Sequence, residues 1–216
     1  MGRKSMRNYH YVILLLAFTV FIACSKTSKV SHETTVAIIP YNGIGNKKVK
    51  ELTNAITNYY GVKVKILAKQ ELPQAAFINI KSPRYRADSL IAMQQRNMPK
   101  GVDCVLGLAT KDISVTKHDK IGAVKSPKWR YNDFGVMGLA YCPGKSCVVS
   151  DFRLKTKDKQ LHLTRFKKVV IHELGHNFGL PHCPDKKCVM TDAVESIKTI
   201  DNANPGLCKA CREKLN

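Results

Sequence analysis

Residues 172–182 read His172-Glu173-Leu174-Gly175-His176-Asn177-Phe178-Gly179-Leu180-Pro181-His182. Two imidazoles four residues apart lie one above the other on a single helical face, so one helix can present both to the same ion. His182, six residues further on, would stand ~9 Å along the axis of a continuing helix at ~1.5 Å per residue. That is out of reach of a metal with ~2.0–2.1 Å bonds to nitrogen. The spacing therefore predicts a helix that stops. Gly179 can adopt the left-handed conformation of a helix terminus and Pro181 cannot prolong one, which lets the chain turn back and deliver His182. Three neutral nitrogens leave a fourth position for water, and Glu173 is placed to take that water's proton as a general base. Zinc lowers the pKa of such a water toward ~7 and polarises a carbonyl, so the pattern points to hydrolysis, most naturally of a peptide bond.

Working outward, Leu163, Phe166, Val170, Leu174 and Phe178 fall on one stripe of a helix over residues 160–178, nearly opposite His172 and His176. One face packs and the other chelates. Lys167 interrupts the stripe and must reach solvent with its ammonium. Gly175 costs ~1 kcal/mol against alanine inside a helix, which predicts close approach of another segment.

Cys183 follows His182 directly, with Cys188, Cys208 and Cys211 beyond it. A Cys-x4-Cys and a Cys-x2-Cys pair match the two halves of a closed tetrahedral thiolate site, a structural zinc with no vacant position for water. Two disulfides are the alternative in an oxidising compartment. A zinc there would tie the segment after the helix to the C-terminal tail and, through residue 183, steady His182.

The run His172-Glu173-x2-His176-x2-Gly179-x2-His182-Cys183-x4-Cys188-x-Met190-x17-Cys208-x2-Cys211 resembles the archaemetzincin signature at every motif position. A weaker likeness extends upstream through residues 134–141 and Ser150-Asp151-Phe152-Arg153-Leu154. The resemblance implies a metzincin-like zinc metallopeptidase acting on a peptide or protein substrate. It implies a catalytic zinc on His172, His176 and His182, Glu173 as base, Met190 in a turn beneath the site, and a second zinc on the four cysteines, two ions per chain. It also makes residues 134–141 a sheet edge facing the cleft, where a peptide could add as an antiparallel strand, with Gly135 and Gly138 permitting close approach. A plain hairpin whose glycines relieve twist is the other reading. A binding or scaffold lipoprotein that keeps the metal fold without hydrolysing anything is the alternative from another class; Glu173, which such a protein would be free to lose, is retained.

Elsewhere the pattern is α/β. Thr35–Pro40 is an apolar strand, residues 47–60 show helical periodicity and residues 62–67 alternate as a strand, a β-α-β unit. A second helix is expected over Ala87–Arg96 and a buried strand over residues 102–109, then a long basic loop over 111–132. Residues 135–141 and 147–149 read as a short hairpin. The expected architecture is a twisted mixed sheet with packed helices, a long active-site helix and a small C-terminal cysteine-zinc subdomain. Cys142 and Cys147 flank a tight Pro-Gly turn and outside the cytoplasm are expected to form a local disulfide. Cys104, in an apolar strand, is expected to be a buried free thiol. His32, His118 and His162 are not expected to be ligands.

At the N-terminus, Arg3, Lys4 and Arg7 precede an apolar run over residues 11–22 and then Ala23-Cys24, the order of a bacterial lipoprotein signal. Twelve residues fall short of the ~20 needed to span a bilayer. A short signal anchor and cleavage by an ordinary signal peptidase are the alternatives, and leucine is missing three positions before Cys24. The expected organisation is a signal peptide over residues 1–23, a lipidated polar tether over 24–33 beginning at Cys24, and one peptidase domain over 34–216, monomeric and anchored by its lipid in the cell envelope, on the periplasmic or outer-membrane face.

The formal charge is +20, from 36 Lys and Arg against 16 Asp and Glu. Removing Arg3, Lys4 and Arg7 with the signal leaves +17. Such a field concentrates anionic partners, among them acidic peptides, polyanionic glycans and lipid headgroups. Export argues against nucleic acid as the partner, although paired cysteines with basic charge can mark a nucleic-acid module.

Overall fold

β1 (Thr35–Pro40) is buried along nearly its whole length because both of its faces are covered. In the computed structural model, which describes residues 30–192 and 196–215, Val36 and Ile38 face one core and Ala37 and Ile39 the other. The same alternation governs Cys104–Ala109 beside it and Ser146–Ser150 beyond, buried on both faces, which is why they read as apolar runs. After β1 come α1 (Asn46–Tyr60), β2 (Lys63–Ile66), β3 (Phe77–Asn79), β4 (Pro83–Arg86), α2 (Ala87–Arg96), β5 (Cys104–Ala109), β6 (Ile113–Val115), the short α3 (Lys128–Tyr131), β7 (Phe134–Val136), β8 (Gly138–Ala140) and β9 (Ser146–Ser150). The long α4 (Lys159–Asn177) and two short helices, α5 (Ile197–Asn202) and α6 (Lys209–Leu215), complete the order.

The main sheet has the order β2-β1-β5-β9-β8, parallel except for β8, which runs antiparallel to β9 at the edge. α1 and α4 cover one face, with Leu52, Ile56, Phe166, Val170 and Leu174 meeting Leu106, Leu108 and Val149. On the other face Leu90 and Ile91 of α2 pack with Val105 and Val148. A second sheet, β3-β4-β6-β7, contributes Ile113 to that lower core. The sheet was not foreseen, because strands of three and four residues are too short to show a period.

The β-α-β unit, the second helix, the buried strand and the active-site helix stand where the sequence places them, within two residues. The mixed α/β architecture is as expected. Two details differ. The basic stretch 111–132 is not one loop: it holds β6, a bridge between His118 and Val124, and α3. The stretch 134–141 is not one strand either, since the chain changes sheets at Met137, β7 pairing with β6 and β8 with β9.

The expected bridge between Cys142 and Cys147 is absent. Cys147 is fully buried in the upper core, its thiol beside that of Cys104, whereas Cys142 is exposed; both are free. The turn between them is fastened by Asn177 instead, whose Nδ2 donates to the carbonyls of Tyr141 and Ser146 at 3.2 and 3.1 Å. Cys104 is a buried thiol as expected, donating to Asn177 Oδ1 at 3.0 Å.

Cys24 and the rest of residues 1–29 lie outside the described residues. The last part of the expected tether, residues 30–33, forms a turn in which Thr34 N–H donates to Ser31 O, and Val30 packs against the upper core. Among the described residues no helix is long and apolar enough to cross a membrane.

Candidate active site

α4 begins at Asp158, whose carboxylate accepts from the backbone N–H groups of Gln160 and Leu161 at 2.8 and 3.1 Å, a cap worth ~1 kcal/mol. Nineteen residues later it ends as the histidine spacing requires. Gly179 takes φ +91°, its N–H donates to His176 O at 2.9 Å, and Leu180 N–H donates to Gly175 O at 2.9 Å, the paired bonds of a Schellman terminus. The chain turns back and His182 faces the other two imidazoles.

One donor nitrogen from each of His172, His176 and His182 lies within 4.8 Å of the others. The tautomers follow from their partners: His172 Nδ1 faces Val189 O at 2.8 Å and His176 Nδ1 faces Leu180 O at 2.7 Å. Carbonyls only accept, so both Nδ1 atoms carry the proton and both Nε2 atoms present bare lone pairs. Those two Nε2 atoms stand 3.0 Å apart, a repulsive arrangement that a bound cation relieves. Burial, reinforced by the neighbouring imidazoles, pushes the His172 pKa down to about 4. Burial also lowers that of His176, so both rings are neutral and ready to coordinate at physiological pH. The donor set fits zinc with three protein nitrogens and an open position.

Glu173 is 8% exposed and lines the cleft beside the ligands. Burial pushes its carboxyl up to about 8 in the metal-free chain, and no cation pairs with it among the described residues. A Cβ at residue 138 would fall 2.6 Å from Glu173 Cγ and Oε1, so glycine at the start of β8 is what leaves room for this side chain.

Met190 lies directly under α4. A Cβ at residue 175 would be 2.5 Å from Met190 Sδ, which identifies the close approach that Gly175 announced. The ~1 kcal/mol cost of that glycine is offset by full burial of Phe166, Val170 and Leu174, each worth ~1.5–3 kcal/mol. The turn around Met190 also supports both side-chain clusters: Val189 O orients His172, and Met190 O accepts from Cys183 N–H at 2.8 Å.

The sulfurs of Cys183, Cys188, Cys208 and Cys211 lie within 4.8 Å of one another, with free thiols, rather than in two separate pairs. Cys183 Sγ and Cys208 Sγ are 3.7 Å apart. That separation matches the edge of about 3.8 Å expected of a tetrahedron with ~2.3 Å zinc–sulfur bonds. A hydrogen bond from the Cys211 backbone N–H holds the Cys208 thiol below its ordinary pKa, while burial pushes Cys188 and Cys211 up. Such a set, one thiol acidic and its neighbours reluctant to ionise together, suits a divalent cation that neutralises several thiolates at once.

Sequence reasoning missed part of the cleft wall: Lys117, Lys168, Thr191 and Asp192 line it with His172 and His182. Lys168 is 9% exposed, and its ammonium donates to the carbonyls of Ile200 and Asp201 at 2.9 and 3.2 Å, pinning α5 beside α4. Lys167 leaves the apolar stripe as expected, pairing with Glu51 of α1 at 2.8 Å. No local signal marks these residues, since their roles depend on which segments are brought together. His162 sits 3.6 Å from Asp151 and belongs to neither cluster.

A mixed sheet, a long helix carrying two histidines and a third histidine delivered by the turn after it define a zinc-peptidase fold with a second, thiol-rich cluster. Residues 34–216 match the model of peptidase family M54, and the chain belongs to that family, the archaemetzincins, which are zinc-dependent metallopeptidases. It is 36% identical to the archaemetzincin of Methanopyrus kandleri over 161 residues, 74% of this chain and 81% of that one. The crystal structure of the Methanopyrus kandleri archaemetzincin superposes with a TM-score of 0.69 at 32% identity, covering 85% of this chain and 94% of the other. The archaemetzincin of Archaeoglobus fulgidus, crystallised with malonate, gives 0.66 at 25% identity over 84% of this chain and 99% of that one.

Proposed function

We propose that this chain hydrolyses peptide bonds with Glu173 as its proton carrier, that it holds one catalytic and one structural zinc ion, and that it does so tethered outside the cytoplasm through a lipid on Cys24. The observation that carries the catalytic part is the placement of Glu173: a buried carboxyl adjoining three converging imidazoles and the cleft wall at Gly138.

Zinc held by His172, His176 and His182 supplies Lewis acidity, acidifying a water and polarising the substrate carbonyl. The protein does the rest. Val189 O and Leu180 O hold the imidazoles in the tautomer that leaves Nε2 free. Glu173 Oε accepts a proton from the attacking water and returns it to the departing amine. The free edge of β8 offers main-chain groups to which an extended peptide adds antiparallel, with the Glu173 side chain against Gly138 marking where the cleaved bond lies.

Support for the tether is compositional: the basic start, the short apolar run and Cys24 after Ala23. The four-sulfur cluster supports the second zinc, which closes a clasp between the segment after α4 and α6.

Glu173→Ala is expected to abolish peptide turnover, by 10²-fold or more on the scale of general-base catalysis, while elemental analysis still finds about two zinc ions per chain. Unchanged turnover would remove Glu173 from its role, and mass spectrometry of the mature N-terminus showing anything but acylated Cys24 would remove the tether.

A further inference from the structure

A second pocket opens beside the catalytic cleft and shares Phe134, Gly135 and Met137 of its wall. Its other polar lining is Lys81, Arg84, Arg130, Arg153 and Asp133. The arginines are set rigidly from behind. Arg153 Nε and Nη2 hold the two oxygens of Asp112 at 2.7 and 2.8 Å, Arg84 Nε reaches Asp112 Oδ2 at 2.8 Å, and Arg84 Nη1 pairs with Asp133 Oδ2 at 3.1 Å. Asp112 and Asp133 thus fix the planes of both guanidiniums. Arg153 Nη1 and Arg84 Nη2 make no hydrogen bond to the described residues, so each guanidinium keeps donors unspent. Gly135 belongs to the same device: any side chain there would overlap the Arg153 guanidinium, which lies against β7. Rigid arginine forks with spare donors, beside the exposed Lys81 ammonium, are the chemistry that recognises a carboxylate.

The position along the substrate follows from strand direction. A peptide adding antiparallel to β8 runs from the Ala140 end toward Gly138 and on past Met137 to Gly135. Glu173 packs at Gly138, so the residues that reach the basic pocket lie C-terminal to the cleaved bond, about three residues on at ~3.3 Å each.

We propose that this pocket receives a substrate carboxylate on the C-terminal side of the cleaved bond, making the enzyme selective for peptides with an acidic residue or a free chain end there. The inference rests on the peptidase reading for its direction, and its test reads binding so that the two can fail separately. The protein is the zinc-loaded full-length chain carrying Glu173→Gln, titrated with three fluorescent peptides matched except downstream: one with Glu and an amidated end, one with Gln and an amidated end, one with Gln and a free carboxylate end. Anisotropy should show one carboxylate peptide bound about tenfold more tightly than the neutral one, the scale of one charged hydrogen-bonded contact, with the ratio shrinking as salt rises. Which of the two is favoured separates side chain from chain end. Arg153→Gln should bring the ratio to about one. Because that change also strips Asp112 of a partner, Lys81→Gln, at the exposed rim, serves as the second variant and should lower the ratio without loss of fold. Equal affinity for all three peptides, or a ratio indifferent to both variants, overturns the pocket. Acid-selective binding by a native chain that cuts none of the peptides would leave the pocket standing and end the peptidase reading alone.

Discussion

Gly138 and Glu173 show how much at this site depends on the absence of one methyl group. Alanine at 138 would press on Glu173 Cγ and Oε1 at 2.6 Å, so the carboxyl must yield. Gly138→Ala is expected to lower turnover by about 10²-fold through displacement of the carboxyl proposed as proton carrier, with zinc content unchanged. Parallel assays of peptide cleavage and bound metal check this, and full activity in the variant would show that Glu173 does not need its present position. Gly175 against Met190 follows the same logic on the other side of the helix. Both glycines could be flagged from the sequence as anomalies, but what fills the space beside each comes from a segment distant in the chain.

At the scale of elements, α4 is stapled to its surroundings at both ends. Near its start, Arg165 Nε and Nη2 hold both oxygens of Asp201 in α5 at 2.7 Å, and this guanidinium keeps the Asp201 carboxyl below its usual range. A carboxylate with a depressed pKa in the folded state stabilises above its unfolded pKa of ~3.9, and the contribution is lost as pH falls through the lower, folded value. Asp201→Asn should therefore reduce thermal stability at neutral pH and narrow its difference from the native chain in strong acid, as melting curves across that range would show. A constant difference would mean that the ion pair is not the source.

Beyond its C-terminal end the cysteine clasp holds the loop bearing His182. Cys183 N–H is bonded to Met190 O, and Cys208 N–H points to Cys188 Sγ at 3.3 Å, so a change at the tail is felt at the third histidine. Cys208→Ser is expected to lower the melting temperature by about 5 °C or more and to weaken retention of the histidine-bound zinc against a competing chelator. A fully metallated variant of native stability would refute the coupling.

For the whole molecule, the two clusters differ in exposure and coordination. The histidine cluster opens to a cleft and its His182 is exposed, whereas three of the four cysteines are buried. Graded chelation should therefore remove activity first, with little change in melting temperature, and unfold the C-terminal clasp only later. Simultaneous loss of both would indicate a single coupled site. The mixed field of charges has a local form as well: of the cations that make the chain basic, four line the pocket beside the cleft, where the second sheet meets the first.

The sequence by itself determined the three histidines that converge, the helix that carries two of them and the stop after it, the thiol set, and the parallel strands at the centre of the main sheet. Each of these is a local pattern: a spacing of four on a helix, a glycine where φ must be positive, an apolar run buried on both faces. Only the tertiary structure decided that residues 134–140 divide between two sheets, that Asn177 rather than a disulfide secures the turn after β8, and that Arg84, Asp112 and Arg153 meet beside the cleft. Those outcomes hinge on contacts between segments tens of residues apart, where three-residue strands carry too little periodicity to declare themselves and a polar side chain's partner is set by how the sheets dock.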